Sequence, residues 1–207
     1  MATELTDDGL AGPRGPAEHA IREQIIHAAN AHFKHYGYSK TTVSDLAKAI
    51  GFSKAYIYKF FDSKQAIGQV ICENRLALII AEAHESIRDS HSATDKFRRV
   101  FKSLVKSGCT LFFDDRKLYD LAAAAASEPW PSVRDYEDQI QKLVSQIVVE
   151  GREAGEFERK TPLDETAMGI FLVMKPYMNP LLLQHNLDGV MDATASLSSL
   201  VLRSLAP

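Results

Sequence analysis

Between Thr41 and Lys64 the chain reads TTVSDLAKAIGFSKAYIYKFFDSK, and few folds accommodate that order of residues. Thr42 is placed to cap a helix, and Asp45, three residues on, stands close to the capping-box pattern. Val43, Leu46, Ala47 and Ile50 follow at helical spacing and make one face apolar. Gly51 comes where a left-handed residue would stop the helix. Ser53 can cap a second helix, which carries Lys54, Ala55, Tyr56, Tyr58 and Lys59 around the apolar Ile57, Phe60 and Phe61. A helix, a glycine turn and a second helix studded with Lys and Tyr form the pattern of a helix-turn-helix that reads DNA.

The residues flanking this unit extend the pattern. Upstream run Ile25-Ile26, Ala28-Ala29 and Phe33, then Tyr36-Gly37-Tyr38; downstream of Gly51-Phe52-Ser53-Lys54 come Ile57-Tyr58, Phe60-Phe61 and Ser63-Lys64. In this order the residues resemble the DNA-binding domain of the TetR (tetracycline repressor-like) family of bacterial transcriptional regulators. The resemblance covers about a quarter of the chain. Ala55 stands where the family usually has Gly, and Tyr56 where a small residue or Thr is frequent; both bear on which bases are read. The resemblance implies an all-α protein, with a three-helix DNA-binding domain, a larger helical ligand-binding and dimerisation domain, and about nine helices in total. It also implies a homodimer on a palindromic operator, and a small-molecule effector that releases it.

Charge is distributed to match. The net charge is −3 overall, but residues 1–18 carry −3, residues 19–65 carry +4 and the remainder −4. The basic excess is therefore confined to the helix-turn-helix segment, where phosphate attraction is needed. Hydrophobic residues make up 45% of the chain, which supports a packed core. No apolar run approaches the ~20 residues of a membrane span. Cys72 and Cys109 are far apart and lack metal-ligand spacing, so a reducing, cytoplasmic setting is expected, with no metal and no cofactor.

Residues 1–17 read as a disordered, polar arm with Gly and Pro at 12, 13, 15 and 16; residues 18–65 as the DNA-binding domain; and residues 66–207 as the ligand-binding and dimerisation domain. The first helix is expected to end near His35 before Gly37. The fourth, capped by Asp62 or Ser63, reaches Ile87 or Asp89 as a stiff element serving both domains. Gly108 marks a point of interruption in the helix that begins at Thr94. The alanine run Ala122–Ala126 suits a cavity wall or a close helix crossing. Pro162 fits a first helical turn, while Pro176 and Pro180 should each bend or end a helix. The last helix, Asp188 to Leu205, and the one before it carry the faces expected to pair in the dimer.

Individual roles follow. Ser53, Lys54, Ala55, Tyr56 and Lys59 lie on or near the exposed side of the second short helix, and Lys54 can donate to guanine O6 or N7. Thr42, Tyr58 and Lys64 match family positions that hold the phosphate backbone. For the effector, Phe101, Cys109, Phe112, Phe113, Tyr119, Trp130, Tyr136, Met168, Phe171, Met174 and Tyr177 are the candidate apolar wall, and Lys175 the candidate partner of an anionic group. The sequence carries no G-x-S-x-G, no H-E-x-x-H and no phosphate-cradling glycine loop, so an enzyme is not expected. The alternative is a DNA-binding regulator switched by oxidation of a cysteine, with Cys109 as the thiol, or by a protein partner.

Overall fold

A computed structural model describes residues 15–207. Among these residues the chain is all-α, with ten helices and no strand. The helices are α1 (Pro16–Tyr36), α2 (Val43–Ile50), α3 (Lys54–Ile57), α4 (Lys64–Ser86), α5 (Ala93–Asp114), α6 (Arg116–Ser127), α7 (Pro131–Glu153), α8 (Leu163–Met178), α9 (Pro180–Leu183) and α10 (Val190–Ser204). The arm expected over residues 1–17 falls, up to residue 14, outside the described residues.

Buried side chains gather into two clusters. The first joins Ile25, Ala29 and Phe33 of α1, Leu46 of α2 and Ile57 of α3 to Ile67 and Ile71 of α4. It continues into Leu111 at the end of α5, Leu118, Leu121 and Ala125 of α6, and Trp130. The second is built from the far half of α4 with α5, α7, α8 and α10, around fully buried Val100, Phe101, Ile140, Val144 and Met174. α4 serves both clusters, as its length and its two apolar faces lead one to expect. The reach of α6 into the cluster of α1–α3 is not visible in any one helix's periodicity.

The structure departs from the sequence reading at Gly108 and refines it at Pro176 and Pro180. α5 runs unbroken through Gly108, where the missing side chain leaves room for Leu183 of α9: a Cβ there would come within 2.8 Å of Leu183 Cδ2. α8 runs through Pro176 to Met178, so that proline does not end it. The break falls instead at Asn179, whose backbone is extended (φ −77°, ψ 122°), as a residue before proline prefers. Pro180 then opens a separate short helix, α9, with the Asn179 side chain accepting from the Leu181 amide at 2.9 Å. α9 brings the count to ten.

The turn after α7 closes the second cluster. Gly155 takes a left-handed conformation, and Phe157 packs so closely on Gly151 that a Cβ there would lie 2.2 Å from its ring. Glu156 then reaches the start of α5. Its carboxylate accepts from the Ala93 and Thr94 amides at 2.9 and 3.0 Å and from the Ser92 hydroxyl at 2.8 Å. These are amides that the first turn of a helix leaves without intrahelical partners.

Candidate functional site

The helix-turn-helix is built by its caps. The Asp45 amide donates to Thr42 Oγ1 at 3.2 Å, and the Thr42 amide donates back to Asp45 Oδ2 at 2.9 Å, a complete capping box. A hydrogen bond from the Thr42 hydroxyl also holds the Asp45 carboxyl below its usual range. Gly51 ends α2 with φ +78°, and the Phe52 amide returns to the Ala47 carbonyl at 2.9 Å. Ser53 caps α3 by accepting from the Tyr56 amide at 3.1 Å. α3 itself spans four residues, and turn hydrogen bonds from Tyr58, Phe60 and Phe61 carry the winding on to Phe61.

This winding sorts the side chains. Ile57 and Phe61 are buried in the first cluster, while Ser53, Lys54, Ala55, Tyr58 and Lys59 are exposed, as is Thr42 at the start of α2. Tyr58 is 43% exposed, and Lys54 Nζ lies 5.8 Å above its ring. Tyr56 is held edge-to-face between Phe52 and Phe60, with centroids 5.1 and 5.4 Å away, and Lys59 Nζ sits 5.6 Å above it. Apart from the partly buried Tyr56, the candidate DNA contacts from Thr42 to Lys59 are open to solvent.

Lys64 is placed differently. Its ammonium donates to the Tyr38 carbonyl at 2.9 Å and lies 4.3 Å above the Tyr38 ring, half buried, and burial lowers its pKa. It ties the start of α4 to the loop after α1. An ammonium has three protons, so others remain for a phosphate oxygen.

Tyr38 is also where the rest of the molecule meets this unit. Trp130 packs edge-on against Tyr38 with centroids 5.7 Å apart, and a Cβ on Gly68 would meet the two rings at 3.0 and 3.1 Å. Trp130 Nε1 donates to Glu128 at 2.9 Å. Lys117 on α6 donates to the His35 carbonyl, and Lys34 pairs with Asp115 at 3.4 Å. Trp130, a candidate cavity residue by sequence, therefore sits at the junction between α6 and the loop after α1.

A cavity of about 60 Å³ lies among α4–α8, with α9 over it. α4 contributes Cys72, Leu76 and Ile79; α5 contributes Leu104, Gly108 and Leu111; α6 contributes Tyr119, Ala122 and Ala126. Tyr136, Phe171 and Lys175 complete the set of sequence candidates on the wall, with Glu137 opposite Lys175. Lys175 Nζ pairs with Glu137 at 3.0 Å. The Tyr119 hydroxyl donates to the Pro180 carbonyl at 2.5 Å and so fastens α9, and burial pushes its pKa up to about 12. Burial, reinforced by the charge of Glu137, also raises the pKa of Tyr136.

The other candidates lie off this wall. Phe101 is buried against Phe97 and Tyr177, and Met174 is buried in the second cluster. Phe112 packs edge-on to Tyr119, while Phe113 is 69% exposed. Met168 is exposed on α8 and Cys109 is half-buried. Burial pushes both the Cys72 and the Cys109 thiols up, away from the reactive thiolate. The α4 wall residues were missed, although their spacing of four and three residues was legible once α4 was known to serve two clusters. α9 lies where the sequence allowed the penultimate helix to extend toward His185 and where Pro180 was expected to bend or end it. Among the described residues no group of three His, Cys, Asp or Glu could hold a metal.

Comparison with known proteins decides the family. Residues 25–69 match the bacterial regulatory proteins of the tetR family, and residues 93–197 match the tetracyclin repressor-like C-terminal domain. The chain belongs to the TetR family. It is thus a DNA-binding regulator of transcription rather than an enzyme. Among solved structures, this TetR chain is similar to Bacillus subtilis FadR in complex with stearoyl-CoA, at 20% identity and a TM-score of 0.65, over 87% of this chain and 97% of that one. It is likewise similar to Thermus thermophilus FadR in complex with lauroyl-CoA, at 20% identity and a TM-score of 0.63, over 87% and 93%. SmeT, the repressor of the Stenotrophomonas maltophilia multidrug efflux pump SmeDEF, shares the fold at 15% identity and a TM-score of 0.64, over 90% of each chain. No curated protein matches the chain. No described helix is long and apolar enough to cross a membrane.

Proposed function

We propose that this TetR-family regulator is a dimeric repressor that binds a palindromic operator and is released from it by a largely apolar small molecule. The observation that carries the reading is one connected path through the fold. The cavity wall on α6 and the Tyr38–Trp130 contact beside the helix-turn-helix belong to one short stretch of chain, α6 and the three residues that follow it. At about 60 Å³ the cavity is smaller than the ~300–1,000 Å³ of a filled ligand pocket, so an occupant must move its walls. Moving α6 shifts Lys117, Asp115 and Trp130 against α1 and Tyr38. Ligand and operator then favour different arrangements and weaken one another reciprocally.

Lys54, Tyr56 and Lys59, with Ser53 and Ala55, read the major groove in this scheme, and Thr42, Tyr58 and Lys64 hold phosphates. The dimer forms through α8 and α10. Their outward faces expose Met168 and Leu172 four residues apart, together with Met191 and Leu200, and Leu172 and Leu200 are 58% and 55% exposed. The effector class drawn from the lining is a molecule with a hydrocarbon chain, in keeping with the acyl-CoA ligands of the two FadR structures. Neither raised thiol favours an oxidation switch.

The test is binding of the purified protein to the DNA upstream of its own gene, followed by fluorescence anisotropy across a salt series. Sequence-selective binding that long-chain compounds reverse supports the reading. Binding that no sequence improves, or that no such compound reverses, removes it.

A further inference from the structure

Outside the cavity, one cation is out of keeping with its surroundings. Arg75 stands on α4 three residues past Cys72, partly buried, and its Nε has no hydrogen-bond partner among the described residues. Nor does its guanidinium pair with any carboxylate among them. A donor buried without a partner is costly unless an acceptor answers it, and on a guanidinium an anion answers best. The residues around it indicate where such a group would sit. Arg75 and Glu82 of α4 face Ser103, Lys106, Ser107 and Thr110 of α5 across a cleft of about 300 Å³. The α5 residues follow at three-, four- and seven-residue spacing, one continuous helix face. The single carboxylate, Glu82, is already engaged by the Ser107 hydroxyl at 2.6 Å. Two cations against one carboxylate leave the cleft net positive.

On its other side Arg75 borders a gap of about 30 Å³, whose walls include Cys72, Leu76, Ile79, Leu111 and Ala122. Those five residues also line the apolar cavity. Arg75 therefore borders both the small gap beside the apolar cavity and the basic, hydroxyl-rich cleft, as well as a third cleft that holds Glu23 and Lys34.

We propose that this cleft is the head-group half of the effector site: the effector is an amphipathic anion, with a phosphate or carboxylate on Arg75 and Lys106 and a hydrocarbon tail passing Arg75 into the cavity. The proposal rests on the ligand-responsive reading above and supplies the polar half of the ligand. Arg75 supplies directed donors at the buried end, Lys106 a mobile charge at the solvent end, and the Ser103 and Thr110 hydroxyls further donors. Engaging Arg75 draws on α4, the element shared by both apolar clusters, so the head group acts on the same helix whose far wall the tail displaces.

Three probes with the same tail separate the contributions: dodecyl phosphate, dodecanoate and dodecanol, each titrated calorimetrically into the full-length protein and then into its operator complex. Both anions, or one of them, are expected to bind at least about tenfold more tightly than dodecanol, the margin of a charge-assisted hydrogen bond. Which anion binds best tells phosphate from carboxylate. Lys106→Gln should remove most of that margin while leaving dodecanol binding unchanged, and Arg75→Gln, which also borders the tail's path, should remove most of it too. Lys106 is exposed, so its variant guards against a folding defect at Arg75. Equal binding of all three probes, or anion binding untouched by either variant, overturns the head-group site and leaves the apolar cavity standing. Failure of every probe to bind overturns both.

Discussion

At the scale of single residues, the surface proposed to face DNA divides into side chains open to solvent and side chains that also hold the fold. Lys54 is exposed, with its ammonium 5.8 Å above the exposed Tyr58 ring, so Lys54→Ala should weaken operator binding about tenfold and leave the thermal midpoint nearly unchanged. Tyr56 is packed between Phe52 and Phe60, so Tyr56→Ala should lower both affinity and melting temperature. Parallel anisotropy and thermal scans separate the two, and a stability loss in Lys54→Ala would contradict the assignment. Glu156 offers a pH-dependent case. Burial raises its pKa, but the Thr94 and Ala93 amides and the Ser92 hydroxyl outweigh that and bring it to about 2, below the ordinary 4.5. Its stabilisation is therefore complete above the unfolded value and lost as pH falls toward the folded one. Glu156→Gln should be less stable than wild type near neutrality. The gap in denaturation midpoint should close between about pH 5 and about pH 2; a gap that does not change with pH would count against this cap.

At the scale of elements, two glycines set how closely helices and turns approach. Gly151→Ala puts a methyl 2.2 Å from the Phe157 ring, and the repacking should cost about 1–3 kcal/mol in chemical denaturation. Gly68→Ala presses a methyl on Tyr38 and Trp130 at 3.0 and 3.1 Å, contacts tight enough to move the rings by tenths of an ångström. Because those rings join α6 to the loop after α1, the expected result is reduced operator affinity with only a small loss of stability. Unchanged affinity would show that the junction does not transmit. α9 illustrates how an element arises from two neighbouring residues. Asn179 leaves the helix because proline follows it, and the same Asn179 then caps the next turn. The Tyr119 hydroxyl fastens the product over the cavity.

At the scale of the whole molecule, the charge distribution and the proposed dimer can each be tested. The basic excess lies in residues 19–65 against an acidic remainder, so log affinity for operator should fall linearly with log salt concentration. Replacing Lys59 with Ala should make that slope shallower by about one unit if it meets a phosphate. Leu172→Glu with Leu200→Glu places charges on the exposed faces of α8 and α10. Analytical ultracentrifugation should then find monomer in place of dimer, with operator affinity lost, while the circular dichroism of the helices persists. A dimer that survives both changes would move the interface elsewhere.

The helix-turn-helix was legible from residues 41–64 because everything that defines it is local: the Thr42–Asp45 box, the left-handed Gly51, the Ser53 cap and the spacing of Leu46, Ile57 and Phe61 all act within a few residues. Long amphipathic α4, α5 and α7 were legible for the same reason. Tertiary structure alone decided the rest, since periodicity gives a helix its apolar face but not the neighbour that face meets. It sent Trp130 to Tyr38 rather than to the cavity, left Phe113 on the surface, and brought α6 against α1. It also set Arg75 opposite Lys106, 31 positions along the chain, a meeting that depends on how α4 and α5 rotate as they pack. Caps and turns are encoded over three or four residues, whereas a cavity is the remainder left when whole helices have packed against one another.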